Sequence, residues 1–361
     1  MKHVTKAGAA LGVAAALTIS TAAPAMADPW DGGTIEYGVG EWYFGGSALN
    51  LDDVYLVFPD TSTEYTDIWD GMGYLRLSSS QLSIADESLD CSPDSAIDVS
   101  VDGPTGDLLI TCTATDAALA GTDLVANVEY RIYSTSDLVR VSVELVNTGA
   151  TDITIDEFIF ETDFGSGGEL WGYQNQSDGV LPVPANEDST SMAALNTAGS
   201  RWMIHFNDDD APGGLAWGSD NAEAPAMLVD LSGDYSEASV STFVIPAGAS
   251  RTVAYFALWN PATLITLDYT NDPGNGQAEA ADALVPLMDE FNSFSGRLIV
   301  GLEGQQVVNW GPATDEPAGP QLAATGTDTT VALGLAAALL AVGALVLGFA
   351  VRRRSAADGQ A

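Results

Sequence analysis

Lysine is nearly missing from this chain of 361 residues: Lys2 and Lys6 are its two copies, and none lies between Asp28 and Thr325. That stretch therefore excludes an isopeptide cross-link, which needs a lysine amine. Histidine is almost as scarce, with His205 the one copy beyond His3. A serine–histidine–carboxylate triad would have to be built on that imidazole. Strand alternation puts His205 on a face with Arg201 and Met203, opposite Trp202, Ile204 and Phe206, which predicts a partly exposed histidine without a catalytic role. No G-x-S-x-G, H-E-x-x-H, C-x-x-C or phosphate-loop motif occurs. The two cysteines, Cys91 and Cys112, are expected to join in a disulfide worth about 3 kcal/mol of chain entropy, which leaves no thiol nucleophile.

Positive charge is sparse too. Between residues 28 and 325 six arginines face 48 acids, a net charge of −42 inside a whole-chain charge of −39. A field of that sign repels phosphate backbones and excludes nucleic acid as a partner. Its ordinary consequence is a hydrated, soluble surface.

Apolar runs are confined to the two ends. Lys2 and Lys6 precede Ala7 to Ala23, and Ala25-Met26-Ala27 supplies an A-x-A site, so residues 1–27 read as a secretory signal peptide. Val331 to Val351 is an uncharged run of 21 residues followed by Arg352, Arg353 and Arg354. As a helix it would measure about 31 Å, enough for a bilayer core of about 30 Å, with the arginines on the cytoplasmic side. The organisation expected is a signal peptide over 1–27, a β-sandwich region over 28–150, a second β-rich region over 151–311, a Pro/Ala spacer over 312–321, residues 322–354 with a transmembrane helix over 331–351, and a cytoplasmic tail over 355–361.

Leu322, Ala323, Ala324, Thr325 and Gly326 stand just before that span. The order of pentapeptide, apolar run and arginines resembles the cell-wall sorting signal of sortase-anchored Gram-positive surface proteins, whose LPxTG motif has an LAxTG form in actinobacteria. The resemblance covers the last 40 residues. It implies that a sortase attacks the Thr325 carbonyl, expels Gly326 with the span, and joins Thr325 to a cell-wall peptide. It also implies an exported protein, anchored first in the membrane through 331–351 and then at the cell wall or cell surface. Pilus shafts of that kind grow on a lysine amine, which residues 28–325 do not offer.

Between the two ends the hydrophobic pattern has a period of two. Ile97, Val99 and Val101 alternate with polar residues, turn at Asp102 to Gly106, and resume at Leu108, Ile110 and Cys112, with Val101 expected opposite Asp107. Val128, Tyr130 and Ile132 alternate with Asn127, Glu129 and Arg131. After a turn at Ser134 to Asp137, Val139, Val141, Val143 and Leu145 alternate with Arg140, Ser142 and Glu144. Asn147-Thr148-Gly149 then leads to Ile153 and Ile155, which predicts three antiparallel strands with one buried face. Further strands are expected at 201–206, 214–217, 226–231, 240–245, 252–259 and 297–302. Leu284, Leu287, Met288 and Phe291 have helical spacing, with Pro286 at the start or at a kink. The fold expected is all-β: an antiparallel β-sandwich ectodomain, one large or two smaller, with one short helix and a C-terminal transmembrane helix.

Candidate sites follow from residue chemistry. Paired carboxylates could serve a glycosidase; acids near aromatics are Glu157, Glu161, Asp163 and Glu169, and Asp208 to Asp210 near Trp202. Oxygen-rich turns at Asp208 to Asp210 and at Asn271, Asp272, Asn275 and Asp282 are the candidates for calcium, although solvated turns explain both and no cofactor is expected. Glu169, Trp171, Tyr173 and Gln174 bring carboxylate, rings and amide together as candidate contacts for a sugar face. The functional expectation is display of an acidic β ectodomain that binds a glycan or host-matrix ligand, an adhesin rather than an enzyme. The alternatives are a carbohydrate-active enzyme using paired carboxylates and a structural surface coat.

Overall fold

The computed structural model describes residues 34–37, 40–44, 51–56, 66–69, 71–89, 91, 97–135, 137–163, 172–175, 179–182, 201–206, 213–232, 235–259 and 283–313, with the strand residues 34–69, 172–182, 206 and 230–235 described by backbone alone. In chain order, β1 (Thr34–Tyr37), β2 (Gly40–Phe44), β3 (Leu51–Leu56), β4 (Thr66–Trp69), β5 (Gly71–Ser79) and β6 (Ile84–Ser88) belong to a first sheet. Next, β7 (Asp98–Val101), β8 (Leu108–Thr113), β9 (Leu124–Ile132) and β10 (Leu138–Asn147) form a meander in a second sheet. β11 (Ile153–Asp163) returns to the first sheet, β12 (Gly172–Asn175), β13 (Gly179–Pro182), β14 (Trp202–Phe206) and β15 (Gly213–Ala216) to the second. β16 (Ala226–Ser232) and β17 (Tyr235–Ile245) complete the first; β18 (Ser250–Leu258), β19 (Gln306–Val307) and β20 (Gly311–Pro312) complete the second.

Among the described residues the first sheet runs β1-β2-β3-β5-β11-β17-β16, and the second β13-β12-β14-β15-β18-β10-β9-β8-β7. The described pairings are antiparallel except β18 with β19, which is parallel. Both sheets contain strands from before and after residue 150, joined by the β5–β11 pairing in the first and the β10–β18 pairing in the second, so one large sandwich is built. The span expected over 331–351 lies outside the described residues, as do Leu322, Ala323, Ala324, Thr325 and Gly326. Among the described residues no helix is long and apolar enough to cross a membrane.

The core between the sheets comes directly from the period-two pattern. Val139, Val141, Val143 and Leu145 of β10 and Val253, Tyr255 and Ala257 of β18 point inward against Leu75 and Leu77 of β5 and Phe158 and Phe160 of β11. Phe160 and Tyr255 stack across the gap with ring centres 4.4 Å apart. Tyr130 crosses it as well, its hydroxyl donating to the Gly73 carbonyl at 3.1 Å.

A second apolar layer covers part of the outer face of the second sheet. Residues 283–288 are helical with Pro286 inside, and they bury Leu284 and Met288 while Leu287 is only half-buried. With Phe291, Leu298, Ile299, Leu302, Val307 and Trp310 they pack on Trp202, Ile204, Ala254, Phe256 and Leu258. The indole of Trp310 donates to the Ala254 carbonyl at 2.7 Å and meets Phe256 edge-on. β18 is therefore buried on both faces.

Four expectations are corrected here. Val101 pairs with Leu108, because the turn closes by Asp102 N donating to the Asp107 carbonyl, one residue away from the register expected. β11 does not pair with β10: β18 already holds that edge, and the chain after Asn147 crosses to the other sheet. The Asn147 amide ties the crossing by donating to the carbonyls of Thr151 and Ile245. Residues 297–302 form a 3₁₀ turn over Gly296–Ile299 and further turns rather than a strand, since they serve as the cover over β9 and β10. Arg131 and Arg140, outward by alternation, are 3% and 0% exposed beneath that cover.

Candidate functional site

Cys91 and Cys112 are bonded, with Cα atoms 6.0 Å apart. The bond fastens the segment before β7 to β8, at the end of the second sheet that the 283–313 cover does not reach. Here the outward side chains of adjacent strands line up in ranks. One rank runs Thr113, Asn127, Glu144, Thr252, and the next runs Asp98, Thr111, Glu129, Ser142. Together with Gly301, Leu302 and Gln305 from the cover they line a cavity of about 380 Å³, within the roughly 300–1,000 Å³ of ordinary small-molecule sites.

The first rank is held by hydrogen bonds. Thr113 donates to the Asn127 amide oxygen at 2.9 Å, the Asn127 amide donates to Glu144 at 3.5 Å, and Thr252 donates to Gln305 at 2.6 Å. In the second rank Glu129 is ion-paired to Arg140. Ser142 is 4% exposed, lines the cavity, and its hydroxyl has no partner among the described residues.

Behind Glu129 stands a buried ion network. Arg140 donates to Glu129 at 2.6 Å and to the carbonyls of Leu298 and Val300 at 3.2 and 2.8 Å. Arg131, directly opposite Arg140 in the register, is held by Asp107 at 2.8 Å and Asp102 at 3.0 Å. The hydrogen bond from Arg131 keeps the Asp102 carboxyl below the usual carboxylate range. Two like charges side by side are tolerable because carboxylates surround them, Asp102 and Asp107 on Arg131 and Glu129 between the two, 2.6 Å from Arg140 and 3.5 Å from Arg131. Gly301 closes the loop over both: at φ +79° a Cβ there would lie 2.9 Å from one Arg131 nitrogen. The network fixes the wall of the cavity to its floor.

The residues singled out from sequence are dispersed. Glu169 and Trp171 lie outside the described residues; Tyr173 and Gln174 sit in β12, in register with His205 and Ile204, apart from the cavity's lining. Glu157 and Glu161 belong to β11 in the first sheet, where Glu157 accepts from Ser239 at 2.6 Å and Glu161 lies 3.5 Å from Arg76; Asp163 ends the same strand. Asp208 to Asp210, and Asn271, Asp272, Asn275 and Asp282, lie outside the described residues. Among the described residues no group of three potential ligands is placed to hold a metal. His205 is corrected from partly exposed to 1% exposed, and burial lowers its pKa to about 3. It shares its face with Met203, which packs in the core between the sheets. Missing from the sequence-derived candidates were the cavity residues Asp98, Thr111, Asn127, Glu129, Ser142, Glu144 and Thr252. Their signal was the polar half of the same alternation that located the core.

No family model and no curated protein matches the chain. Among solved structures, a galactose mutarotase-like protein from Lactobacillus casei is similar at TM-score 0.40 and 10% identity, covering 62% of this chain and 98% of that one. The Slr1438 protein from Synechocystis is similar at TM-score 0.37 and 12% identity, covering 63% and 94%. A GH36 alpha-galactosidase from Geobacillus stearothermophilus is similar at TM-score 0.35 and 10% identity, covering 63% and 40%. At scores this low the likenesses carry neither a site nor an activity to this chain.

Proposed function

We propose that the protein is a surface-displayed glycan-binding protein whose site is the cavity on the outer face of β7 to β10. The observation that carries the reading is Ser142, a residue 4% exposed whose hydroxyl has no partner among the described residues, on a cavity whose lining includes the hydroxyls, amides and carboxylates of both ranks as well as Leu302 and Val128. That lining suits a ligand with many hydroxyl groups, each of which donates and accepts. Display rests on the sequence: the 1–27 leader, the LAATG pentapeptide at 322–326, and the 331–351 span, which together support export and sortase joining of Thr325 to the cell wall. The test is a glycan array probed with the full chain and with Ser142→Ala. The reading expects sugar binding that the substitution weakens; an array silent for the wild-type chain overturns it.

A second reading is favoured by one further placement. Glu129 and Glu144 are diagonal neighbours on paired strands, since Glu129 faces Ser142 and Asn127 faces Glu144. Such diagonals have Cα atoms roughly 7–8 Å apart and side chains within reach of each other, and two carboxylates flanking one bond are what a glycosidase uses. Glu129 is ion-paired and Glu144 meets no cation among the described residues, a difference that two distinct roles would need. Turnover of chromogenic glycosides, abolished by Glu144→Gln and by Glu129→Gln, would establish catalysis; sugar binding without turnover would leave binding alone.

A further inference from the structure

We infer, on the footing of the cavity just described, that its ligand is a glycan bearing free amino groups, bound with an ammonium against Glu144 and the sugar over Ser142. Among the described residues three carboxylates line the cavity, those of Asp98, Glu129 and Glu144, and no cationic side chain does. The guanidiniums of the neighbouring β9 and β10 positions are committed, Arg140 to Glu129 and two carbonyls, Arg131 to Asp102 and Asp107. Of the three carboxylates only Glu129 is ion-paired among the described residues. Glu144 has the amide of Asn127 at 3.5 Å, and Asp98 is exposed beside Thr111 across the β7–β8 pair.

Charge alone would not distinguish this place from the rest of an acidic surface. Ser142 does so, because the residue is 4% exposed, its hydroxyl has no partner among the described residues, and it lines the cavity in the rank beside Glu144. The two features ask for complementary parts of one ligand. A sugar hydroxyl completes Ser142, and an adjacent ammonium offers Glu144 three donors and the opposite charge. N-acetylation would remove the charge and two of those donors. A uronic or sulfated sugar would bring a like charge into a field that already repels it.

The test is calorimetric titration of the full chain with three tetrasaccharides: fully deacetylated glucosamine, N-acetylglucosamine, and β-1,4-linked glucose. The deacetylated sugar should bind at least about tenfold more tightly than the other two, the size of one hydrogen bond to a charged group. Glu144→Gln should erase that advantage. Asp220→Asn, the same change of charge at a side chain 87% exposed, should preserve it. Equal affinity for the three sugars overturns the inference and leaves the glycan site standing. Binding of none overturns both. An advantage that survives Glu144→Gln, or that Asp220→Asn removes just as well, marks diffuse attraction to an acidic surface and overturns the inference.

Discussion

The outer face of the second sheet is finished in two different ways. Over β18, β15 and β14 it carries Phe256, Ala254, Leu258, Trp202 and Ile204, and residues 283–313 are folded onto it as a second core. Over β7 to β10 it carries Asp98, Asn127, Glu129, Ser142 and Glu144, and the cover stops at Gly301, Leu302 and Gln305. Apolar side chains recruit a layer because burial is favourable at about 25 cal/mol per Å²; polar ones leave the face open to a ligand. The boundary between the two is the Arg140 network, which binds the end of the cover to the floor of the cavity.

This division predicts a gradient of effects. Trp310→Ala, on the covered side, removes an indole packed on Phe256 and Phe294 and its bond to Ala254. It should cost about 3–5 kcal/mol in chemical denaturation; a loss as small as that of a surface change would break the comparison. Arg140→Met, at the boundary, strips donors from two carbonyls and Glu129, and about 2–3 kcal/mol should go. Hydrogen exchange should then rise at residues 298–302 before it rises in β9.

His205 tests the interior by pH. Its pKa falls from 6.5 to about 3 on burial, so between those values the unfolded chain holds a proton that the folded chain does not. Stability from this group is complete above the unfolded value and is lost as pH falls below it. From pH 7.5 to pH 5 the wild type should lose about 2 kcal/mol more than His205→Gln; parallel curves would contradict the burial. The smallest effect belongs to the open side. Ser142→Ala deletes a hydroxyl without a partner among the described residues and should change stability by less than about 0.5 kcal/mol while weakening sugar binding.

Sequence and structure agree where alternation decides the outcome. Val139 to Leu145 and Val128 to Ile132 fixed two strands and their inward face, and the spacing from Leu284 to Phe291 marked the cover. Alternation fails where a third layer is added: Arg131 and Arg140 read as solvated because nothing local shows that residues 298–301 will lie on them. Pairing across the turn at Asn147-Thr148-Gly149 was equally hidden, since β10 finds β18 more than a hundred residues later. The cavity was legible in half. Each of its polar residues was visible as an outward position, but their alignment into ranks depends on cross-strand register.

The central claim is that the open end of the second sheet is the ligand site. Carbodiimide labelling of carboxylates, read by mass spectrometry on the full chain with and without the tightest-binding of the three tetrasaccharides, tests it directly. The account predicts protection of Asp98 and Glu144 on binding, with Asp220 and Asp289 labelled as before. Unchanged labelling of Glu144 at saturation, or protection confined to the first sheet, would contradict it.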